Sequence, residues 1–200
     1  MTLVVTVCGS LQPRSANRAA IDVAGNHLRA LEDTEVDDYD ELAALPPLDA
    51  SADHDPAVAA WRRRIARADA VLIAAPEYAG ALAGTIKNAL DWLVGSGELY
   101  RKPVAVISAG TSGGVFARQH LIQTLTWHGA HVVAELGIAA PRTKSDADGR
   151  ITDATTIAAI ERLASALAAA PTLAADARLA VVRDVVAAAG VDPAHIAPLA

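Results

Sequence analysis

Nine residues near the start of the chain, Gly9-Ser10-Leu11-Gln12-Pro13-Arg14-Ser15-Ala16-Asn17, gather hydroxyls, amides and a guanidinium directly after a β-branched run. A phosphate monoester asks for such a set, because the unpaired N–H groups that open a helix carry partial positive charge and an arginine fork adds a charge-assisted bond. The same residues have a plainer use, with Ser15 or Asn17 capping the helix, and the loop by itself leaves both readings open. A second segment, Pro76-Glu77-Tyr78-Ala79-Gly80, carries a rigid proline, an aromatic ring and a small-residue tip. Either a flat ring lies against this backbone and bonds to its N–H groups, or Tyr78 covers the edge of the core. The third segment is Gly110-Thr111-Ser112-Gly113-Gly114. It reads as a backbone wall for a bound ring, as a glycine turn without chemistry, or as the Gly-x-Ser-x-Gly of a nucleophile elbow with Ser112 attacking an acyl carbon. Asp146, Asp148 and Asp153, and then His195, follow in the order that such a serine hydrolase uses.

The elements around these segments decide where they fall. Leu3 to Val7 is an apolar run ended by Cys8-Gly9-Ser10, and Asn17 to Leu31 places apolar residues at Ala20, Ile21, Ala24, Leu28 and Leu31, the spacing of an amphipathic helix. Glu35 to Tyr39 reads as an acidic edge strand, Pro46 to Asp55 as a surface loop, and Pro56 to Ala68 as a helix opened by proline. Ala70 to Ala75 has no polar alternation, so both of its faces are buried, as in a parallel sheet between helices. Pro76 to Ala83 is a loop, Gly84 to Val94 a helix and Pro103 to Ser108 a strand; the glycine turn then leads into a helix through Trp127. His131 to Leu136 is a fifth strand, Thr143 to Gly149 an exposed turn and Asp153 to Ala169 a closing helix. This alternation predicts an α/β fold, a doubly wound five-stranded parallel sheet with helices on both faces. Ligands in such sheets bind beyond the carboxyl ends of the strands, which is where all three segments fall. Residues 1–170 form the predicted domain, and 171–200, with an amphipathic stretch from Leu179 to Ala189 stopped by Gly190, a C-terminal helical extension.

Composition narrows the partners. Two hundred residues with 52% hydrophobic content suit one globular domain, while a net charge of −6 with no basic stripe argues against nucleic acid. Apolar runs are too short for a membrane span, and the start lacks a signal-peptide pattern. The single cysteine, Cys8, excludes an internal disulfide and fits a reducing cytoplasm. His27, His54, His120, His128, His131 and His195 show no metal-ligand spacing, and no metal is expected. The first strand is not followed by Gly-x-Gly-x-x-Gly, and Gly-x-x-x-x-Gly-Lys is absent from the chain, which argues against a dinucleotide fold of the usual kind and against a nucleotide triphosphatase.

In their order and spacing the segments resemble the NAD(P)H-dependent FMN reductase family, flavodoxin-like proteins that include quinone, chromate and azo-dye reductases. The family's Gly-Ser-Leu-Arg-x-x-Ser-x-Asn is met by Gly9, Ser10, Leu11, Ser15 and Asn17, and its Pro-Glu-Tyr by Pro76, Glu77 and Tyr78. Leu-Lys-Asn-Ala-x-Asp-Trp is met by Lys87, Asn88, Ala89, Asp91 and Trp92, and the Lys-Pro-Val strand start by Lys102, Pro103 and Val104. The resemblance runs from Leu3 to Leu167 and implies a flavodoxin-like fold with FMN as cofactor and NAD(P)H as co-substrate. It implies that Ser10, Ser15 and Asn17, in a loop with Gln12 and Arg14, hold the FMN phosphate. Pro76, Glu77, Tyr78 and Ala79 would flank the isoalloxazine, and Gly110, Thr111, Ser112 and Gly113 would form the opposite wall. Two positions depart from the pattern: the family's phosphate-loop arginine is Gln12, with Arg14 two residues on, and its asparagine after Pro-Glu-Tyr is Ala79. The implied reaction is hydride transfer at FMN N5, with no catalytic side chain, to a small-molecule acceptor such as a quinone, free flavin, azo compound or metal oxyanion. A homodimer or homotetramer is implied with it. An FMN-binding electron carrier or sensor without fast NAD(P)H oxidation, and the Ser112 hydrolase, are the alternatives.

Overall fold

The computed structural model describes residues 1–49, 51 and 54–198. Residues 50, 52 and 53 of the expected surface loop, and 199 and 200 of the C-terminal extension, lie outside the described residues. Strand β1 (Thr2–Cys8) leads into α1 (Ala16–Ala30), β2 (Thr34–Tyr39), α2 (Pro56–Arg67) and β3 (Ala70–Ala74). After β3 come β4 (Glu77–Tyr78), β5 (Ala81–Leu82) and α3 (Gly84–Asp91), and then β6 (Pro103–Gly110), α4 (Val115–Trp127), β7 (His131–Ala139), α5 (Ala154–Ala169) and α6 (Ala175–Ala188).

The main sheet has the order β2-β1-β3-β6-β7, every pair parallel. That is the flavodoxin-type winding, whose switch point lies between β1 and β3. The central strands are sealed on both sides: every residue of β3 is buried, and so are Pro103 to Ala109 of β6. Helices α1 and α5 pack together on one face; on the other, Trp61 of α2 donates from Nε1 to the Ala89 carbonyl of α3 at 2.8 Å. The acidic strand β2 is an edge, as its composition predicts.

Sequence and structure differ at several boundaries. Helix α3 ends at Asp91, not Val94, because Leu93 and Val94 donate to Leu90 and Asp91, three residues back, and tighten the last turn before Gly95. Strands β6 and β7 run on together to the Gly110–Ala139 pair, past the glycine at 137. Pro76 to Ala83, expected as a plain loop, contains the antiparallel β4–β5 hairpin. Helix α6 starts at Ala175 and packs on β7, burying Val182 and Val186.

Candidate functional site

A cavity of about 460 Å³ opens beyond the carboxyl ends of β1, β3 and β6. Its lining brings together eight residues that the sequence proposed: Ser10, Gln12, Arg14, Ser15 and Asn17 from the first loop, with Pro76, Glu77 and Tyr78 from the second. Ala109 of β6 lies between them. A volume of this size suits a small-molecule site.

The first loop is held at both ends. Gly9 donates to the Ala74 carbonyl at 2.8 Å and accepts from Thr85 Oγ1 at 2.8 Å. A Cβ at position 9 would come within 2.3 Å of Ile86 Cγ1, so only glycine lets the loop approach α3. At the other end Ser15 caps α1, its Oγ accepting from the Arg18 N–H at 3.0 Å, while Ser10 Oγ accepts from the Gln12 N–H at 3.3 Å. Both hydroxyl protons and the first N–H groups of α1 remain as donors toward the cavity. Asn17 is buried, and its side chain has a structural duty. Nδ2 donates to the Ala109 carbonyl at 3.1 Å and Oδ1 accepts from the Ala109 N–H at 2.9 Å, so the amide ties the opening of α1 to the end of β6.

Glu77 also does something the sequence did not reveal. Its Oε2 accepts from the Phe116 and Ala117 N–H groups at 2.8 and 3.1 Å. Helix α4 begins after Gly114 in the left-handed region, with no side-chain cap of its own, and the Glu77 carboxylate stands in for one. The β4–β5 hairpin is thereby fixed to α4. Its tip, Ala79 at φ 51° and Gly80 at φ 69°, has both central residues at positive φ. Asn-Gly is the favoured pair in such a turn, and the alanine is strained there.

Ala79, Gly110, Thr111, Ser112 and Gly113 stand outside the cavity lining. The glycine turn closes through Gly113 N–H to the Gly110 carbonyl at 3.1 Å, and Arg118, paired with Glu135, donates from Nε to the Gly113 carbonyl at 3.0 Å. A Cβ on Gly114 would fall 1.9 Å from Ser108 Oγ, which itself donates to the Ala75 carbonyl at 2.6 Å. The Ser112 hydrolase is overturned here. His195 stacks on Trp127 at 4.2 Å, at the far end of α4, while Ser112 precedes that helix; about 20 Å of helix separates them.

A further wall comes from the segment after β7: Pro141 and Arg142, which carried no expectation, and Ser145, Asp146 and Gly149 of the turn expected to be exposed at Thr143 to Gly149, complete the cavity. The single N–H of Ala140 anchors this turn, shared between the Gly110 and Thr111 carbonyls at 3.1 and 3.3 Å. The only advance signal was the cluster of arginine, lysine and aspartate just past a strand's carboxyl end. Among the described residues no group of three His, Cys, Asp or Glu side chains could hold a metal, and no helix is long and apolar enough to cross a membrane. The set that is present fits an anionic, flat ligand: helix N–H groups and two guanidiniums suit the anion, and proline, tyrosine and backbone suit a ring.

Comparison with known proteins agrees with that chemistry. Residues 2–144 match the family model described as NADPH-dependent FMN reductase. An NADPH:quinone oxidoreductase of Arabidopsis thaliana is 32% identical over 167 residues, 76% of this chain and 83% of the relative. An NAD(P)H-dependent FMN reductase of Pseudomonas aeruginosa is 34% identical over 156 residues, 75% of this chain and 84% of the relative. Among solved structures, the flavoenzyme NAD(P)H:(acceptor) oxidoreductase FerB of Paracoccus denitrificans superposes with a TM-score of 0.72 at 28% identity, covering 84% of this chain and 96% of that one.

Proposed function

The chain belongs to the NADPH-dependent FMN reductase family, and from that premise we propose that it is an FMN-dependent oxidoreductase passing electrons from NAD(P)H to a small acceptor such as a quinone, free flavin, azo compound or metal oxyanion. The observation that carries this reading is the single cavity in which the α1 opening, the Pro76 segment and the β6 end meet. Bound FMN would supply the redox chemistry, accepting hydride from NAD(P)H and passing electrons to the acceptor.

The chain's own part is binding and orientation. In this reading the α1 N–H groups, the Ser10 and Ser15 hydroxyls, the Gln12 amide and the Arg14 guanidinium surround the FMN phosphate. Asn17 contributes its backbone and, through Ala109, fixes the distance from α1 to β6. Pro76, Glu77 and Tyr78 flank the isoalloxazine, with Ala79 and the turn of Gly110, Thr111, Ser112 and Gly113 at its rim. Glu77 keeps the hairpin against α4, so the ring meets a preformed wall and the fixed N–H dipoles need no reorganisation when charge develops on the ligand.

Residues 1–170 form the flavin domain in this reading, and 171–200 an accessory segment. A homodimer or homotetramer belongs to it too. Val94 and Trp127, each 66% exposed, flank a groove between α3 and α4, and apolar side chains gathered on neighbouring helices mark an association face that sedimentation tests. Cytoplasmic location is part of the same reading, supported by the lone buried cysteine, Cys8.

The decisive experiment is an absorbance spectrum after incubation with FMN and desalting, followed by anaerobic NADPH or NADH. Retained flavin bands that bleach quickly support the reductase. Retained bands that bleach slowly favour an electron carrier or sensor, and loss of flavin on desalting would sink both.

A further inference from the structure

Two arginines and two carboxylates line the cavity, and they differ in what they bond to. Arg14 and Arg142 both line it, and among the described residues neither has an ion pair or side-chain hydrogen bond. Two carboxylates line it as well, yet both are turned to the main chain. Glu77 Oε2 caps α4, and Asp146 Oδ1 accepts from the Asp148 and Arg150 N–H groups, each at 2.9 Å. Both guanidiniums are exposed and without a protein acceptor among the described residues, which leaves their donors available to an anionic ligand. The backbone that carries Arg142 is anchored, while its exposed side chain is held by no protein partner among the described residues. It sits on the helical turn Pro141–Lys144, which Ala140 N–H ties to the β6 end and which Thr143 N–H and Oγ1 close onto the Ala140 carbonyl at 3.0 and 2.9 Å. Gln12, an uncharged amide in the phosphate loop, lines the same cavity.

We propose that Arg142 is a phosphate-recognition residue, neutralising a ligand phosphate from the loop after the fifth strand of the sheet and supplying the charge that Gln12 lacks. A phosphate monoester carries close to two negative charges at neutral pH, more than Arg14 alone matches. The guanidinium fork suits its oxygens, and the helix dipole of α1 adds to it without replacing it. This inference rests on the FMN-dependent reading. The phosphate belongs either to the flavin or to the pyridine nucleotide, and the two sources separate by experiment.

Flavin-free protein is titrated with FMN and with riboflavin, which lacks the phosphate, by flavin fluorescence for wild type, Arg142→Ala and Arg142→Lys. KM is measured in parallel for NADPH and for dihydronicotinamide riboside, a phosphate-free donor. Expected for Arg142→Ala is a loss of FMN affinity of about 10- to 100-fold with riboflavin unchanged, and a smaller loss for Arg142→Lys. FMN affinity unchanged but KM raised for NADPH alone supports the proposal and assigns the phosphate to the nucleotide. Equal weakening of FMN and riboflavin, or no change in any of the four values, overturns it. Wild type that binds neither flavin overturns the oxidoreductase reading itself, and this inference with it, before any variant is compared.

Discussion

The two ends of the sheet handle their polar groups in opposite ways. At the amino end the chain meets most of its own polar groups: Leu3 N–H reaches Asp69 Oδ2 at 2.8 Å, Lys102 Nζ reaches the Ala66 and Ala68 carbonyls, and His131 Nε2 meets the Ala197 carbonyl at 2.9 Å, although His131 Nδ1 and Arg101 Nε are buried without a partner. Burial there pushes the Lys102 and His131 pKa values down. At the carboxyl end the carboxylates hold backbone while two guanidiniums and the α1 N–H groups face a cavity. One end buries most of its polar groups against its own chain and the other turns free donors to a cavity, which is how a scaffold and a binding site differ in physical terms.

The largest break comes from Gly114→Ala. Its Cβ would overlap Ser108 Oγ at a positive φ, and a loss of about 3 kcal/mol or more is expected in urea unfolding, together with disordering of the α4 start. Asn17→Ala comes next. Removing the amide leaves the buried Ala109 N–H and C=O unpaired, and a cost of about 2 kcal/mol follows, with weaker FMN retention because α1 and β6 lose their tether. A change of opposite sign sharpens the contrast: Ala79→Gly relieves the positive φ at the hairpin tip and raises stability by about 1 kcal/mol, read as a higher Tm.

At the amino end the smallest effect is a pH slope. His131 titrates in the folded protein below its ordinary value of 6.5, since burial disfavours its cation and the charges of Arg178 and Arg101 add to this, against a bond from Ala197 that favours it. The unfolded chain therefore binds more protons below pH 6.5, and stability falls as pH drops from there toward the folded pKa. As pH rises well past 6.5 the group becomes neutral in both states and its slope fades. Tm measured from pH 7.5 to 5.5 checks this, with His131→Gln expected to flatten the decline; an identical slope in both proteins would assign it to other groups.

The regular part of the fold was legible because its residues announce themselves locally. Leu3 to Val7 and Ala70 to Ala75 are apolar without alternation, Asp55-Pro56 opens a helix, and Ser15 caps one. The cavity's first two walls were legible for the same reason, as each follows directly from a strand. What stayed hidden depends on partners distant in sequence. Nothing near Glu77 says that its carboxylate will cap a helix 39 residues on, and nothing near Arg142 says that its turn will be carried to the β6 end. The hairpin escaped notice because its strands are two residues long and its tip lacks the Asn-Gly signal.

The stack of Trp127 on His195 turns the tail into an optical signal. Trp61 and Trp92 are buried, at 2% and 1% exposure, whereas Trp127 is 66% exposed and lies against the tail. A soluble quencher such as iodide therefore reaches one indole of three, so the docking of residues 193–198 on the amino end of the sheet can be followed by emission, without a label and at the end of the molecule opposite the flavin cavity.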